Sequence, residues 1–232
     1  MKKINHLTSL YNFRDLGGYP TKDGKVTRYG KLFRSDGPDH ITPEDIQVLV
    51  SEGVTLDIDL RGPEELEKWP DILGQDDRVE YLSILLLPSL NLATPPESLA
   101  GLYLLMLRES GAQFYQLFSA ILKNKSAGTL FHCSVGKDRT GVTAAMLLLL
   151  ADVVEEEVIR DYVTTAKNLK TVLARFKEIN NPALSHFLTA RPEDIQPFIE
   201  ALNIEFGGVR SYLSKIGFTT AEIEALRSIL RD

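Results

Sequence analysis

The sequence predicts an α/β fold, a central and mainly parallel sheet flanked by helices, with a helical part at the C-terminal end. Three observations carry this. Up to about residue 150, short apolar runs alternate with helical periodicities, the order that builds a parallel sheet covered on both faces. Beyond Glu155 every periodic segment is helical. The composition is globular, with 44% hydrophobic and 25% charged residues over a length of 232, which is ample material for a core. No internal repeat, low-complexity stretch or linker interrupts the chain, and its length leaves one large domain or two small ones.

Residues 31–35 (KLFRS) read as a short strand. Thr42 opens a helix, because Thr42 with Asp45 resembles a capping pair and Ile46, Leu49 and Val50 give an apolar face; Gly53 supplies the stop. Residues 54–60 (VTLDIDL) and 79–87 (VEYLSILLL) are strand-like, with a short helix over 63–68 between them that Pro70 ends. Helical patterns over 99–106 and 112–122 are separated by Gly111. Residues 129–132 (TLFH) form a short buried strand, followed by a loop and a strongly apolar helix over 140–150. The stripe of Leu173, Phe176, Phe187 and Phe198 within 166–206 reads as core packing, with a lid over a pocket as the alternative. The last helix begins with a capping box, Thr219 with Glu222, ahead of Ile223, Leu226 and Ile229.

A net charge of −6 argues against broad attraction to nucleic acid or to an anionic membrane. No apolar run approaches the roughly 20 residues of a membrane span. Lys2 and Lys3 resemble the charged end of a signal peptide, but no apolar stretch follows. The cytoplasm is therefore expected, with export through a removed signal left open. Cys133 is the only cysteine, which excludes an intrachain disulfide and a cysteine-rich metal site. His6, His40, His132 and His186 have no ligand spacing, so no metal is expected.

The decisive stretch is 131–141, FHCSVGKDRTG, between a strand and a helix. Backbone N–H groups of such a loop and of the helix's first turn lack internal partners and point where an anion can sit. Gly136 lets the chain curl tightly, and the helix start favours a thiolate at Cys133. Arg139, six positions on, returns to the mouth of the loop, where its planar fork suits two phosphate oxygens. Thr140 has a hydroxyl to offer the thiolate. A nucleotide-binding P-loop is suggested by Gly136-Lys137 but excluded by Asp138, which stands where Ser or Thr would hold magnesium. The bland alternative is a buried thiol in an ordinary tight turn.

HCSVGKDRTG resembles the signature loop of the protein tyrosine phosphatase superfamily. It is most similar to the bacterial branch of tyrosine and lipid phosphatases whose loop reads HCxxGKDRTG. The similarity extends, in order, through 12–19 (NFRDLGGY), 30–36 (GKLFRSD), 59–61 (DLR) with Glu64 or Glu65 after it, and 207–217 (GGVRSYLSKIG). These stretches cover nearly the whole chain, so the resemblance implies a single phosphatase domain over residues 1–232, with a parallel sheet flanked by helices, a phosphocysteine intermediate and no cofactor. It makes Cys133 the nucleophile, Arg139 the phosphate clamp, and the backbone of Ser134, Val135, Gly136 and Lys137 part of the phosphate cradle. His132 is implied to order the loop, and Thr140 to donate to the thiolate.

The general acid is open between three aspartates. The resemblance assigns it to Asp138. Asp71, in a Trp69-Pro70-Asp71 sequence like the acid loop of some tyrosine phosphatases, otherwise belongs to a turn; Asp59 sits near the end of its strand, where ligands of parallel sheets gather. Arg61 is expected to pair with Glu64 or Glu65. Lys137 either meets a neighbouring phosphate of a polyanionic substrate or is an exposed lysine. The expected partner is thus a phosphorylated protein or a phosphoinositide. Two other functions compete: a rhodanese-type sulfur transferase, and a phosphate-binding module without turnover.

Overall fold

The computed structural model describes residues 7–87, 96–174 and 189–231. Its sheet contains β1 (Arg14–Asp15), β2 (Leu32–Ser35), β3 (Val54–Asp59), β4 (Glu80–Ser83) and β5 (Gly128–His132), in the order β1-β2-β5-β3-β4. Only β1 runs antiparallel to its neighbour. The mainly parallel sheet read from the sequence is present. β5 lies at its centre and is buried along its whole length. The register sets Ser35 and Asp59 beside His132 on either side, so the C-terminal ends of three strands meet where the chain leaves β5. β5 is flanked by β2 on one side and β3 on the other, and the C-terminal ends of parallel strands are where ligands of such sheets bind.

Side chains alternate between two cores, as strand periodicity requires, except at the register shift between Val54 and Leu56 of β3, which turns those two to different faces. Leu32, Leu56, Ile58 and Phe131 face the larger core; Phe33, Val54 and Leu130 face the smaller one, which α1 (Pro43–Ser51) covers with Ile46 and Leu49. Thr42 caps α1 by accepting from the N–H of Asp45, as expected. α2 (Pro63–Lys68) follows β3. The larger core is covered by α3 (Leu99–Glu109), α4 (Gly111–Lys123), α5 (Asp138–Leu150), α6 (Glu155–Ala174), α7 (Pro192–Phe206), α8 (Val209–Lys215) and α9 (Thr220–Leu230). Almost every residue of α5 is buried. A helix apolar all round belongs in an interior, and α5 touches β2, β5 and five other helices. Its Gly141 brings α6 close, since a Cβ there would lie 3.1 Å from the Tyr162 ring.

Several boundaries differ from the sequence reading, and two of them bear on the site. The strand expected over 79–87 is β4 alone: its only neighbour, β3, ends at Asp59, one last backbone bond joins Ile84 to Asp59, and Leu87 then turns at positive φ. α5 begins at Asp138 rather than Thr140, with an acid in the first turn where the helix dipole favours one. In α7, Phe198 is fully buried with Ile195 and Leu202, which is packing rather than a lid. Of the rest of that stripe, Phe176, Phe187 and the Leu173 side chain lie outside the described residues. Among the described residues no helix is long and apolar enough to cross a membrane.

Candidate active site

Cys133 leaves the end of β5 with a free and buried thiol, 2% exposed. The chain from Ser134 to Arg139 then curls back into the first turn of α5. Gly136 sits at φ 70°, and a Cβ there would fall 2.3 Å from the carbonyl oxygen of Ser35. Only glycine meets both demands. The loop carbonyls are drawn outward: Asn12 donates to the carbonyls of Val135 (3.1 Å) and Gly136 (3.0 Å), and Arg34 donates to Gly136 at 2.8 Å. Carbonyls held on the outer side leave the loop's N–H groups for the concave side, where an anion is favoured.

Asn12 and Arg34 belong to one buried network. Arg14 donates to the Asn12 side chain at 2.8 Å and to Asp161 at 2.6 Å, and Arg34 donates to the other oxygen of Asp161. Tyr19 donates to Asp161 at 2.7 Å. Burial alone would raise the Asp161 carboxyl, but the two arginines outweigh it and hold it well below the usual range. The motifs 12–19 and 30–36 thus supply the outer wall of the loop. Asp161 lies 147 residues from Arg14, and nothing in its own stretch of sequence announced it.

On the other side, His132 and Asp59, Arg61, Asp57 and Asp71 form a second buried cluster. Nε2 of His132 lies 3.2 Å from Asp57 and 3.0 Å from Asp71, although neither ring nitrogen makes an aligned hydrogen bond. Burial would lower the imidazole, but Asp59 and Asp57 dominate and keep it protonated. Burial first, then Asp71, pushes the Asp57 carboxyl up to about 7 against the pull of His132. Asp57, Asp71 and His132 bring one ligand atom each within 4.8 Å of one another, the arrangement a metal ion would use. The raised imidazole and the raised Asp57 carboxyl both favour their protonated forms, so the group as it stands holds protons.

Arg61 is where the sequence reading fails. It pairs with Asp59 (2.6 Å) and Asp71 (3.3 Å) rather than with Glu64 or Glu65. Pro63 starts α2 directly after Gly62, which sends Glu65 toward the loop, while Arg61 folds back along the end of β3. Asp59 and Asp71 are both buried in these pairs. Asp71 also accepts from the N–H of Gly74 at 2.8 Å, so it does form a turn.

Glu65 instead grips Arg139 with both oxygens, at 2.6 and 2.7 Å, and accepts from the hydroxyl of Ser134. Burial would raise this carboxyl; Arg139, Gly62 and Ser134 bring it down to about 2. Nη1 of Arg139 also donates to the carbonyl of Leu60 at 3.2 Å. Both Nη1 hydrogens and one on Nη2 are then engaged. Among the described residues Nε and the outer Nη2 hydrogen are not, and these two form the side-on fork of a guanidinium.

Lys137 is not the exposed lysine of one sequence reading; it is 2% exposed, with Nζ 3.3 Å from Asp138. Thr140 is buried, and its hydroxyl has no hydrogen-bond partner among the described residues, Cys133 included. The Asp138 side chain is 27% exposed and accepts from the Tyr103 hydroxyl at 2.6 Å. Asp138 and Arg139 line a cleft of about 550 Å³ whose other wall is apolar, with Leu85, Leu87, Leu102 and Met106. A cavity of about 610 Å³ between β4 and α4 contains none of the loop residues.

The model of the tyrosine phosphatase family matches residues 5–232. The chain belongs to that family. A tyrosine-protein phosphatase from Nostoc commune is 33% identical over 207 residues, covering 81% of this chain and 69% of the relative. A Cupriavidus necator protein with a provisional tyrosine-protein phosphatase name is 27% identical over 223 residues, covering 88% of this chain and 81% of that one. The solved structure of a cysteine-to-serine variant of P. aeruginosa TpbA in complex with pTyr aligns with a TM-score of 0.40 at 17% identity, over 82% of this chain and 88% of TpbA. For this phosphatase family member, a hydrolase assignment follows from the family alone.

Proposed function

We propose that the chain, as one domain, hydrolyses tyrosyl phosphates through a phosphocysteine intermediate. The observation that carries this reading is Arg139, whose end-on fork is fixed by Glu65 while its side-on fork stays open for two phosphate oxygens. Cys133 attacks phosphorus as the thiolate, the P–O bond to the phenol breaks, and Asp138 gives its proton to the departing oxygen. The Asp138 carboxylate then takes a proton from water, which attacks the phosphocysteine and releases inorganic phosphate. The cradle of N–H groups stabilises the charge that spreads over the equatorial oxygens in both steps. His132 supports the loop from below, among carboxylates that favour its charged form. Thr140, with a buried hydroxyl that lacks a partner, is placed one residue beyond Arg139 and is read as the donor to the thiolate once that forms.

The apolar wall beside Asp138 and Arg139 favours a phenyl leaving group over an inositol ring. Lys137, buried against Asp138, lends no support to recognition of a second phosphate. Arg139 followed by Thr140, with the upstream motifs, argues against a rhodanese-type sulfur transferase. Phosphotyrosyl peptides and phosphoinositides are to be compared as substrates of the wild-type protein and of Cys133→Ser. Turnover of the peptide without added metal, abolished in the serine variant with phosphate binding retained, is the expected outcome. Steady-state hydrolysis by Cys133→Ser would remove the covalent mechanism, and preference for phosphoinositides would remove the substrate assignment.

A further inference from the structure

Behind Asp138 two tyrosines stand in line, and neither belongs to a motif singled out in the sequence. Tyr103, on α3, is fully buried and places its hydroxyl 2.6 Å from Oδ1 of Asp138. Tyr162, on α6, places its hydroxyl 2.6 Å from that of Tyr103, with the two rings at 79°. Burial, with the charge of Asp138 added, holds the Tyr103 phenol well above its ordinary value, so it keeps its proton. A carboxylate has no proton to give. The Tyr103 hydrogen therefore points at Asp138, and Tyr162 must donate to Tyr103. The chain of donors has one direction, Tyr162 to Tyr103 to Asp138.

The two carboxylate oxygens are consequently unequal. Oδ1 takes the Tyr103 hydroxyl and lies 3.3 Å from the Lys137 ammonium. Among the described residues, the hydrogen bonds and ion pairs of Asp138 all fall on Oδ1. An oxygen that already receives donors is a poor place for a proton, so the acidic proton is directed to Oδ2. We propose that Tyr103, steadied by Tyr162, is the positioning residue for the general acid: it fixes the Asp138 carboxyl and reserves Oδ2 for the leaving oxygen. This rests on the assignment of Asp138 as the acid made above.

Positioning of an acid matters when the leaving group needs a proton and hardly at all when it does not. Tyr103→Phe keeps the ring and its packing but removes the link. Its kcat on a tyrosyl phosphate should fall about tenfold, a part of the roughly hundredfold or more that an acid supplies. Its KM, and its kcat on an activated aryl phosphate such as p-nitrophenyl phosphate, should stay within about twofold of wild type, because Arg139 and the cradle are untouched. Tyr162→Phe should show the same pattern at lower amplitude and serves if Tyr103→Phe fails to fold. Asp138→Asn, measured in parallel, separates the two layers of the argument. If Asp138→Asn is selective for the poor leaving group and neither tyrosine variant is, positioning by Tyr103 is overturned and the acid stands. If Asp138→Asn slows both substrates equally, the acid assignment falls and the proposal with it.

Discussion

On one flank of the loop a single aspartate, Asp161, holds two arginines; on the other, three aspartates surround one arginine and one histidine. Both clusters are buried, and both touch the chain that carries Cys133. The first has spare donors and sends them to loop carbonyls, so it shapes the surface that meets the anion. The second has spare acceptors, since neither oxygen of Asp57 has a hydrogen-bond partner. It adjusts by holding a proton rather than by binding anything. A surplus of donors beside an anion site serves function, whereas a surplus of acceptors under it has to be neutralised.

The largest effect should come from breaking the first flank at its centre. Asp161→Asn leaves Arg34 buried without a counter-charge, which costs about 3–5 kcal/mol. A chemical denaturation midpoint close to wild type would show that Arg34 does not depend on Asp161. Next, Asn12→Ala removes two hydrogen bonds to loop carbonyls, with an expected loss near 1–3 kcal/mol. The loss should be visible as weaker binding of inorganic phosphate to the free protein more than as a lowered melting temperature. Equal binding with a lowered melting temperature would confine Asn12 to a structural role.

The second flank should respond with the opposite sign. The folded Asp57 carboxyl sits at about 7 against an ordinary 3.8. The native state therefore holds a proton that the unfolded chain has already lost, and this part of the stability disappears as pH rises from about 4 to about 7. Asp57→Asn should remove that decline, so the variant gains on wild type steadily from pH 4 upward, more at pH 8 than at pH 5. Melting temperatures across that range are the check. A variant that loses stability equally at both pH values would mean that Asp57 is ionised and well paired.

What was legible in the sequence was local. The loop from Cys133 to Arg139, its flanking strand and helix, and the caps at Thr42 and Thr219 each depend on residues within a few positions of one another. The wall motifs at 12–19 and 30–36 were visible as resemblance, but their work was not, because it consists of contacts to Asp161 and to residues more than a hundred positions away. Arg61, expected to pair with Glu64 or Glu65, precedes the helix that carries them and turns back onto Asp59 instead. Glu65, 74 residues before Arg139, offered no spacing rule at all. No motif in the sequence singles out Tyr103 or Tyr162, and only the fold lines their hydroxyls up behind one carboxylate.

The tight seat of Gly136 has a consequence for how such a protein can change over time. The atoms that a Cβ there would strike are the carbonyl carbon and oxygen of Ser35 and the nitrogen of Asp36, at 2.3 to 2.7 Å, and all are backbone. Most steric damage can be repaired by shrinking the offended side chain, which gives evolution a second route to the same function. Here there is no side chain to shrink. A lineage that loses this glycine cannot recover by a compensating substitution at the contact itself. It would have to shift strand β2 relative to β5, and with it the register on which the whole site stands.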